Sequence, residues 1–163
     1  MNRNAFFSIV LLTVLSLLPD VSIYAQQRAR LFTNSDETQI FSLINRERSR
    51  RGLSQLYWDD RLADLARKYS GTMARDHLFE HIDKNGDSVV ERARHERIRN
   101  WSKIGENLFM CDPTDELPSV SVHGWMHSPT HRENILDPEW QNTGIGIAYA
   151  RDGRIYITEV FAD

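Results

Sequence analysis

Cys111 is the only cysteine in this chain of 163 residues, and that count restricts how the fold is stabilised. No internal disulfide is possible, so stability must come from a hydrophobic core. Apolar residues make up 40% of the chain and charged residues 26%, which suits one globular domain with a sizeable core. Polar residues follow Cys111, so we expect a partly exposed loop in which the thiol stays free or pairs between chains.

The first 25 residues have the pattern of a cleavable secretory signal peptide. Arg3 precedes an apolar run from Ala5 to Leu18, and a more mixed stretch ends at Ala25. The run is too short to span a bilayer, so we predict a secreted or periplasmic protein and not an integral membrane protein. Cleavage after Ala25 leaves the net charge at −3, which argues against nucleic acid as a partner.

A linker over residues 26–34 is predicted to lead into one folded domain over residues 35–163. We expect residues 28–33 to be extended or poorly ordered. Asn34 and Glu37 have the spacing of a capping box, and apolar residues at helical spacing then predict a first helix over about 35–50. Its C-terminal end is rich in arginine, which suits the helix dipole. We interpret this run as a solvated helix end, with an anion site as the alternative: Arg46, Arg48, Arg50 and Arg51.

A second helix is predicted from the Asp59-Asp60 cap to about His77, because apolar residues recur along one face. Residues 77–81 then read His-Leu-Phe-Glu-His, the H-x-x-E-H pattern of one metalloprotease class. That interpretation requires Glu80 and His81 to stay helical. A polar turn begins two residues later, so we favour a fraying helix end over the protease site.

The polar turn at residues 83–87 is predicted to lead into a short helix from Ser88 to about Arg97. A calcium loop is the alternative, but Gly86 and Glu91 do not stand at the positions that such a loop requires. Pro118 suits the first turn of a further helix.

Residues 124–136 place Trp125, two histidines and a proline close together. Pro129 disfavours helix just before it, so the helix carrying Trp125 should end near His127, with the tryptophan in the core. His127 and His131 have the spacing of two zinc ligands on one helical turn, but Pro129 argues against a continuous helix.

Two β-rich runs, residues 143–150 and 154–161, are joined by Arg151-Asp152-Gly153 and predict a hairpin. The run Gly144-Ile145-Gly146 lacks the third glycine and the following helix of a phosphate loop.

The tetrapeptide Gly105-Glu106-Asn107-Leu108, with His81 before it and His131 after it, makes the chain resemble the CAP superfamily in its bacterial, SCP-like form. This superfamily comprises cysteine-rich secretory, antigen 5 and pathogenesis-related 1 proteins, and the resemblance covers about residues 36–161. It implies an α+β fold, a three-layer α-β-α sandwich with a small, mainly antiparallel sheet between helices. In that fold the glycine-containing run at 144–148 is a central strand, and the glycines allow close packing.

The resemblance also implies a cavity lined by His81, Glu106 and His131. Eukaryotic members usually add a second glutamate at a position that is Ser128 here, so this chain departs from the full set. Secondary candidates for the site lie nearby: Ser128, Glu133, His127 and Asn107.

Two imidazoles and one carboxylate can hold zinc with an open coordination position, or form a polar lining without turnover. The resemblance implies binding of lipids or other small ligands, binding of zinc or another divalent metal, or proteolysis. We predict a secreted, non-catalytic binding domain. The alternatives are a metal-dependent hydrolase or protease that uses His81, Glu106 and His131, and an extracellular interaction module. The sequence does not identify a specific ligand, a cofactor or an oligomeric state.

Overall fold

The computed structural model describes residues 21–163, with side chains from Ser35 onward. Most of the predicted signal peptide therefore lies outside the described residues. The described elements follow one another as α1 (Val21–Ser49), β1 (Tyr57–Trp58), α2 (Asp60–Asp76), α3 (Val89–His95), β2 (Ile104–Cys111), α4 (Leu117–His127), α5 (Pro129–Leu136), β3 (Asn142–Tyr149) and β4 (Ile155–Ala162).

The four strands form one sheet in the order β1-β3-β4-β2. The short β1 runs parallel to β3, whereas β3–β4 and β4–β2 are antiparallel. The predicted hairpin is confirmed, and Gly153 in its turn has a φ of +92°, which glycine adopts without strain. The long strand β2 lies at one edge of the sheet, with Asn107 directly opposite Glu159 of β4.

Helix α2 packs backbone to backbone against the central strand β3. A Cβ atom at Gly144 would lie 2.0 Å from the amide nitrogen of Ala63, and one at Gly146 would lie 2.0 Å from that of Arg67. The glycines therefore let the helix approach closely, as the resemblance implied.

Helices α1, α4 and α5 cover the opposite face of the sheet, where Trp125 is fully buried. The result is the predicted three-layer α-β-α sandwich with a mainly antiparallel sheet.

The beginning of α1 differs from the prediction. Among the described residues the helix runs without interruption from Val21 to Ser49, with no proline or glycine between them, so the expectation of an extended segment at 28–33 is wrong. Glu37 does not belong to a capping box. Glu37 lies in the middle of the helix, and its side chain is buried. The carboxylate accepts hydrogen bonds from the Arg67 guanidinium and from the amide of Ile147 at 3.2 Å.

The arginine run at the end of α1 is not uniformly solvated. Arg46, Arg50 and Arg51 are exposed as predicted, but Arg48 is fully buried. It lies one and two helical turns after two core isoleucines of α1, on the face that meets the core. Its Nη1 donates to the carbonyl oxygens of Ile135 at 2.7 Å and Asp137 at 2.9 Å, so Arg48 caps the C-terminal end of α5.

The other helix predictions agree with the structure. Asp59 caps α2 by accepting from the amide of Arg61, and α2 ends at Asp76, immediately before His77. Ser88 and Glu91 form a capping box at the start of α3. In the part of the chain that the structure describes, residues 21–163, every helix is too short or too polar to cross a membrane.

Candidate functional site

The site is built on the edge strand β2. Successive side chains of a strand point to opposite faces, so Glu106 faces the layer of α2 and α3, whereas Asn107 faces α5. Because β2 is at the edge, groups from both helical layers can approach this part of the sheet.

Glu106 has little solvent exposure, and both of its carboxylate oxygens are bonded. Oε1 lies 2.9 Å from Nδ1 of His81, and Oε2 accepts from Nη2 of Arg92 at 2.6 Å. A carboxylate beside a guanidinium only accepts hydrogen bonds, so Nδ1 of His81 carries the proton. This bond orients the ring and leaves Nε2 of His81 available, since the His81 side chain is 55% exposed.

Arg92 holds the segment that carries His81. Besides bonding Glu106, its Nη1 donates to the carbonyl oxygens of His81 at 3.1 Å and Asp87 at 2.7 Å. The guanidinium also lies over the ring of Tyr69, 3.4 Å from the centroid. Sequence reasoning missed Arg92, because an arginine in a short helix rich in charge gives no sign that it is buried.

Tyr69 supports the same segment from α2. Its hydroxyl donates to the carbonyl oxygen of Glu80, next to His81. Burial raises the pKa of Tyr69 to about 12, so this donor stays protonated at physiological pH. The loop around His81 is therefore held from two sides.

His131 is half-buried on α5 and is positioned through its backbone. Its carbonyl oxygen accepts from Nδ2 of Asn107 at 3.1 Å, and Asn134 donates to Oδ1 of Asn107 at 3.0 Å and to the carbonyl of Glu106 at 3.2 Å. Burial, and then the charge of His81, lower the pKa of His131. The neutral form of His131 is therefore favoured.

Glu159 lies beneath this network, opposite Asn107. It is fully buried and accepts from the Thr143 hydroxyl at 3.2 Å. Burial raises the pKa of Glu159 to about 8, although Thr143, the charge of Arg48 and the Asn107 amide act in the opposite direction. This acid was not among the sequence candidates, since it stands in an otherwise ordinary β-rich run.

The predicted residues do not form a three-ligand metal centre. Among the described residues, no group of three or more His, Cys, Asp or Glu side chains is arranged to hold a metal ion. Glu106 is engaged by Arg92 and His81, which leaves two imidazoles, His81 and His131, as available donors. This arrangement does not fit a zinc site with three protein ligands.

The secondary candidates lie in different places. Asn107 belongs to the network that positions His131. Ser128 lies between α4 and α5, and its side chain makes no capping bond. Glu133 is exposed on α5, and its side chain forms no hydrogen bond or ion pair with any described residue. His127 points elsewhere, because its ring packs on His123 with 3.9 Å between centroids.

The alternative metal motifs are not realised. His77 ends α2 in a left-handed conformation with φ of 52°, so Glu80 and His81 are not helical and the H-x-x-E-H interpretation is wrong. The carboxylate of Asp83 accepts from backbone amides of its own turn. The continuous helix needed for a zinc pair at His127 and His131 is absent, because the two residues lie on the separate helices α4 and α5.

Cys111 ends β2 and does not lie in a loop. It is half-buried and unpaired. Burial, and then the neighbouring Asp112, raise the pKa of the thiol, so less reactive thiolate is present than in an exposed cysteine.

The sandwich, with a His–Glu–Arg cluster at the edge of its sheet, defines the class of protein as a CAP-type α-β-α domain. The family model described as "CAP: Cysteine-rich secretory protein family" matches residues 41–161. The chain therefore belongs to this family.

Two curated proteins of Bacillus subtilis (strain 168) are similar to the chain. The chain is 32% identical over 120 residues to the uncharacterized protein YkwD of Bacillus subtilis (strain 168), covering 74% of this chain and 44% of that protein. It spans less than half the length of the curated relatives it matches.

Two solved structures show the same fold. The first, an extracellular protein containing an SCP domain from Bacillus anthracis, has a TM-score of 0.69 at 28% identity and is matched over 80% of this chain and 41% of that one. The second, an outer surface protein of Borrelia burgdorferi, has a TM-score of 0.72 at 21% identity, over 80% of this chain and 94% of that one.

Proposed function

We propose that this chain is a secreted, non-catalytic binding domain, and that the imidazoles of His81 and His131 contact its ligand. One observation carries the proposal: both oxygens of Glu106 are already bonded, to His81 and to Arg92. A general base must be free to accept a proton from the substrate or from a water. Glu106 instead acts as a positioning residue that presents Nε2 of His81, so binding is favoured over turnover.

The fixed imidazoles suit a ligand with a polar head group. His81 presents Nε2 as an acceptor, and the lowered pKa of His131 favours its neutral form, which both donates and accepts. A lipid or another small molecule with a hydroxyl or carboxyl group matches these donors and acceptors. Export is supported by the predicted signal peptide and by the similar extracellular protein of Bacillus anthracis.

Native mass spectrometry of the untagged chain, purified from the cells that express it, tests the proposal. We expect an added mass from a bound small molecule. Replacing either imidazole in His81→Ala or His131→Ala removes a hydrogen bond to the ligand, so occupancy should fall about tenfold. The control is His95→Ala, because His95 is an exposed histidine on α3 that is 67% accessible.

Two results would contradict the proposal. Turnover that is inhibited by a chelator and lost in Glu106→Gln would establish the hydrolase instead. Tight zinc binding in a calorimetric titration, abolished by His81→Ala and by His131→Ala, would show that the two imidazoles hold a metal rather than a ligand head group.

A further inference from the structure

Two features that the proposed function does not use, the arginine run and His127, meet in a groove away from His81 and His131. This groove lies between α1, α4 and α5 and has a volume of about 550 Å³. Basic residues from all three helices line it, together with Arg51 of the turn after α1: Arg46 from α1, His123 and His127 from α4, and Arg132 from α5.

The positive charge of the groove is poorly compensated. Glu47 is the acidic residue among those that line it, and its oxygens accept from Arg50 at 2.7 Å and Arg51 at 2.8 Å. The side chains of Arg46 and Arg132 form no hydrogen bond or ion pair with any described residue. Three guanidinium groups and one carboxylate give the lining a net charge of about +2. The guanidinium groups repel one another, and a bound anion would relieve this repulsion.

The two histidines add polar ring nitrogens to the groove. Their rings stack with 3.9 Å between centroids, and Nδ1 of His127 lies 2.8 Å from the carbonyl oxygen of His123. Nδ1 of His127 therefore carries a proton, and Nε2 is left for a ligand.

We propose that this groove binds a multiply charged oxyanion of the phosphate type. Guanidinium groups match phosphate oxygens with paired hydrogen bonds, and a ligand with several charges engages groups from three helices at once. The basic groups that face this ligand come from α1, α4 and α5, with Glu47 opposing them.

Inorganic pyrophosphate is the probe, titrated calorimetrically into the purified chain at neutral pH, and we expect saturable binding. The double variant Arg46→Gln/Arg132→Gln should weaken binding by about tenfold or more, because it removes two guanidinium groups from the lining. The double variant His123→Gln/His127→Gln should keep most of the affinity, since the guanidinium groups remain.

The matched controls change the same residue types on α3. Arg94→Gln and His95→Gln each replace a side chain that is 67% exposed, outside the groove. They should leave pyrophosphate binding unchanged, and the melting temperature of every variant reports whether it is folded. A competing titration with phosphatidylglycerol vesicles identifies the source of the phosphate: competition that requires Arg46 and Arg132 indicates a lipid head group, and no competition indicates a free phosphate.

Three outcomes would overturn the proposal. One is no pyrophosphate binding at millimolar concentration. Another is equal binding by the folded Arg46→Gln/Arg132→Gln variant. The third is a loss in the α3 controls as large as in the groove variants, which would mean that net charge alone attracts the anion.

Discussion

Glu159 and Arg48 are both fully buried, and each keeps one polar atom without a partner among the described residues. These atoms are Oε2 of Glu159 and Nη2 of Arg48. Arg48 stays charged because a guanidinium does not lose its proton in proteins. The carboxyl group of Glu159 is different, since burial raises its pKa to about 8 and so favours the neutral acid near pH 7.

We expect Glu159 to make the protein less stable as the pH rises. The pKa of its carboxyl group is about 8 in the folded chain and has an ordinary value of 4.5. Between pH 4.5 and about pH 8, the folded state keeps a proton on Glu159 that the unfolded state has lost. The stabilisation from this proton is therefore complete below pH 4.5, decreases as the pH rises, and is lost above about pH 8. Urea denaturation between about pH 6 and pH 8.5 should therefore show a slope of up to roughly 1 kcal/mol per pH unit.

Glu159→Gln keeps the shape of the protonated acid and removes its titration, so its pH profile should be flatter. Part of the slope will remain, because burial also raises the pKa of Glu37. The exposed Glu133→Gln is the control and should behave as wild type. Equal slopes in wild type and Glu159→Gln would show that Glu159 is ionised in the folded state.

Cys111 should react slowly but completely with a thiol reagent. Its half-buried position and raised pKa both reduce the available thiolate. We expect labelling of the native chain to be at least about tenfold slower than in denaturant. A thiol that never reacts in the native protein, or one that reacts as fast as in denaturant, would contradict this degree of burial.

At the scale of the elements, two contacts determine where the helices lie. Helix α2 rests directly on β3 at Gly144 and Gly146. Helix α5 is held at its C-terminal end by Arg48 and nearer its start by Asn107, which bonds the carbonyl of His131. The site therefore depends on packing on both faces of the sheet.

Gly144→Ala should separate α2 from the sheet. The added methyl group would lie 2.0 Å from the backbone of Ala63, and a backbone atom cannot move aside as the end of a side chain does. We expect a loss of about 3 kcal/mol or more in the free energy of unfolding, measured by urea denaturation. Gly71→Ala is the matched control within α2: nothing lies within 4 Å of its added Cβ, and the change should stabilise the helix by about 0.5–1 kcal/mol. Equal effects of the two changes would refute the close contact.

At the scale of the whole molecule, every core residue that the structure describes lies after the predicted cleavage site. Among the described side chains, which start at Ser35, Glu37 is the first buried one and Ile40 is the first buried apolar one. Removal of residues 1–25 shortens α1 but leaves every described core residue in place.

We predict that the exported protein begins near Gln26. Ala25 ends the signal-like stretch, and the core residues of α1 that the structure describes lie after it. N-terminal sequencing of the exported chain, together with its melting temperature, checks this prediction. Met1 retained on a cytoplasmic protein would contradict it.

Features with a local cause could be predicted from the amino-acid sequence. The helical spacing of apolar residues predicted α2, the glycine turn predicted the hairpin, and Pro129 predicted the break after Trp125. Each depends on residues a few positions apart, whose backbone preferences act before any tertiary contact forms. The family resemblance added the sandwich and named His81, Glu106 and His131.

Tertiary structure decided which polar groups are buried and what they contact. Arg48 and Arg46 belong to one arginine run, yet one caps α5 from the core and the other lines an exposed groove. Arg92 meets Glu106 14 positions away, and Arg48 meets Ile135 87 positions away. Such pairs exist because the sheet and helices bring distant segments together, and burial then sets the strength of their interactions and the pKa of groups such as Glu159.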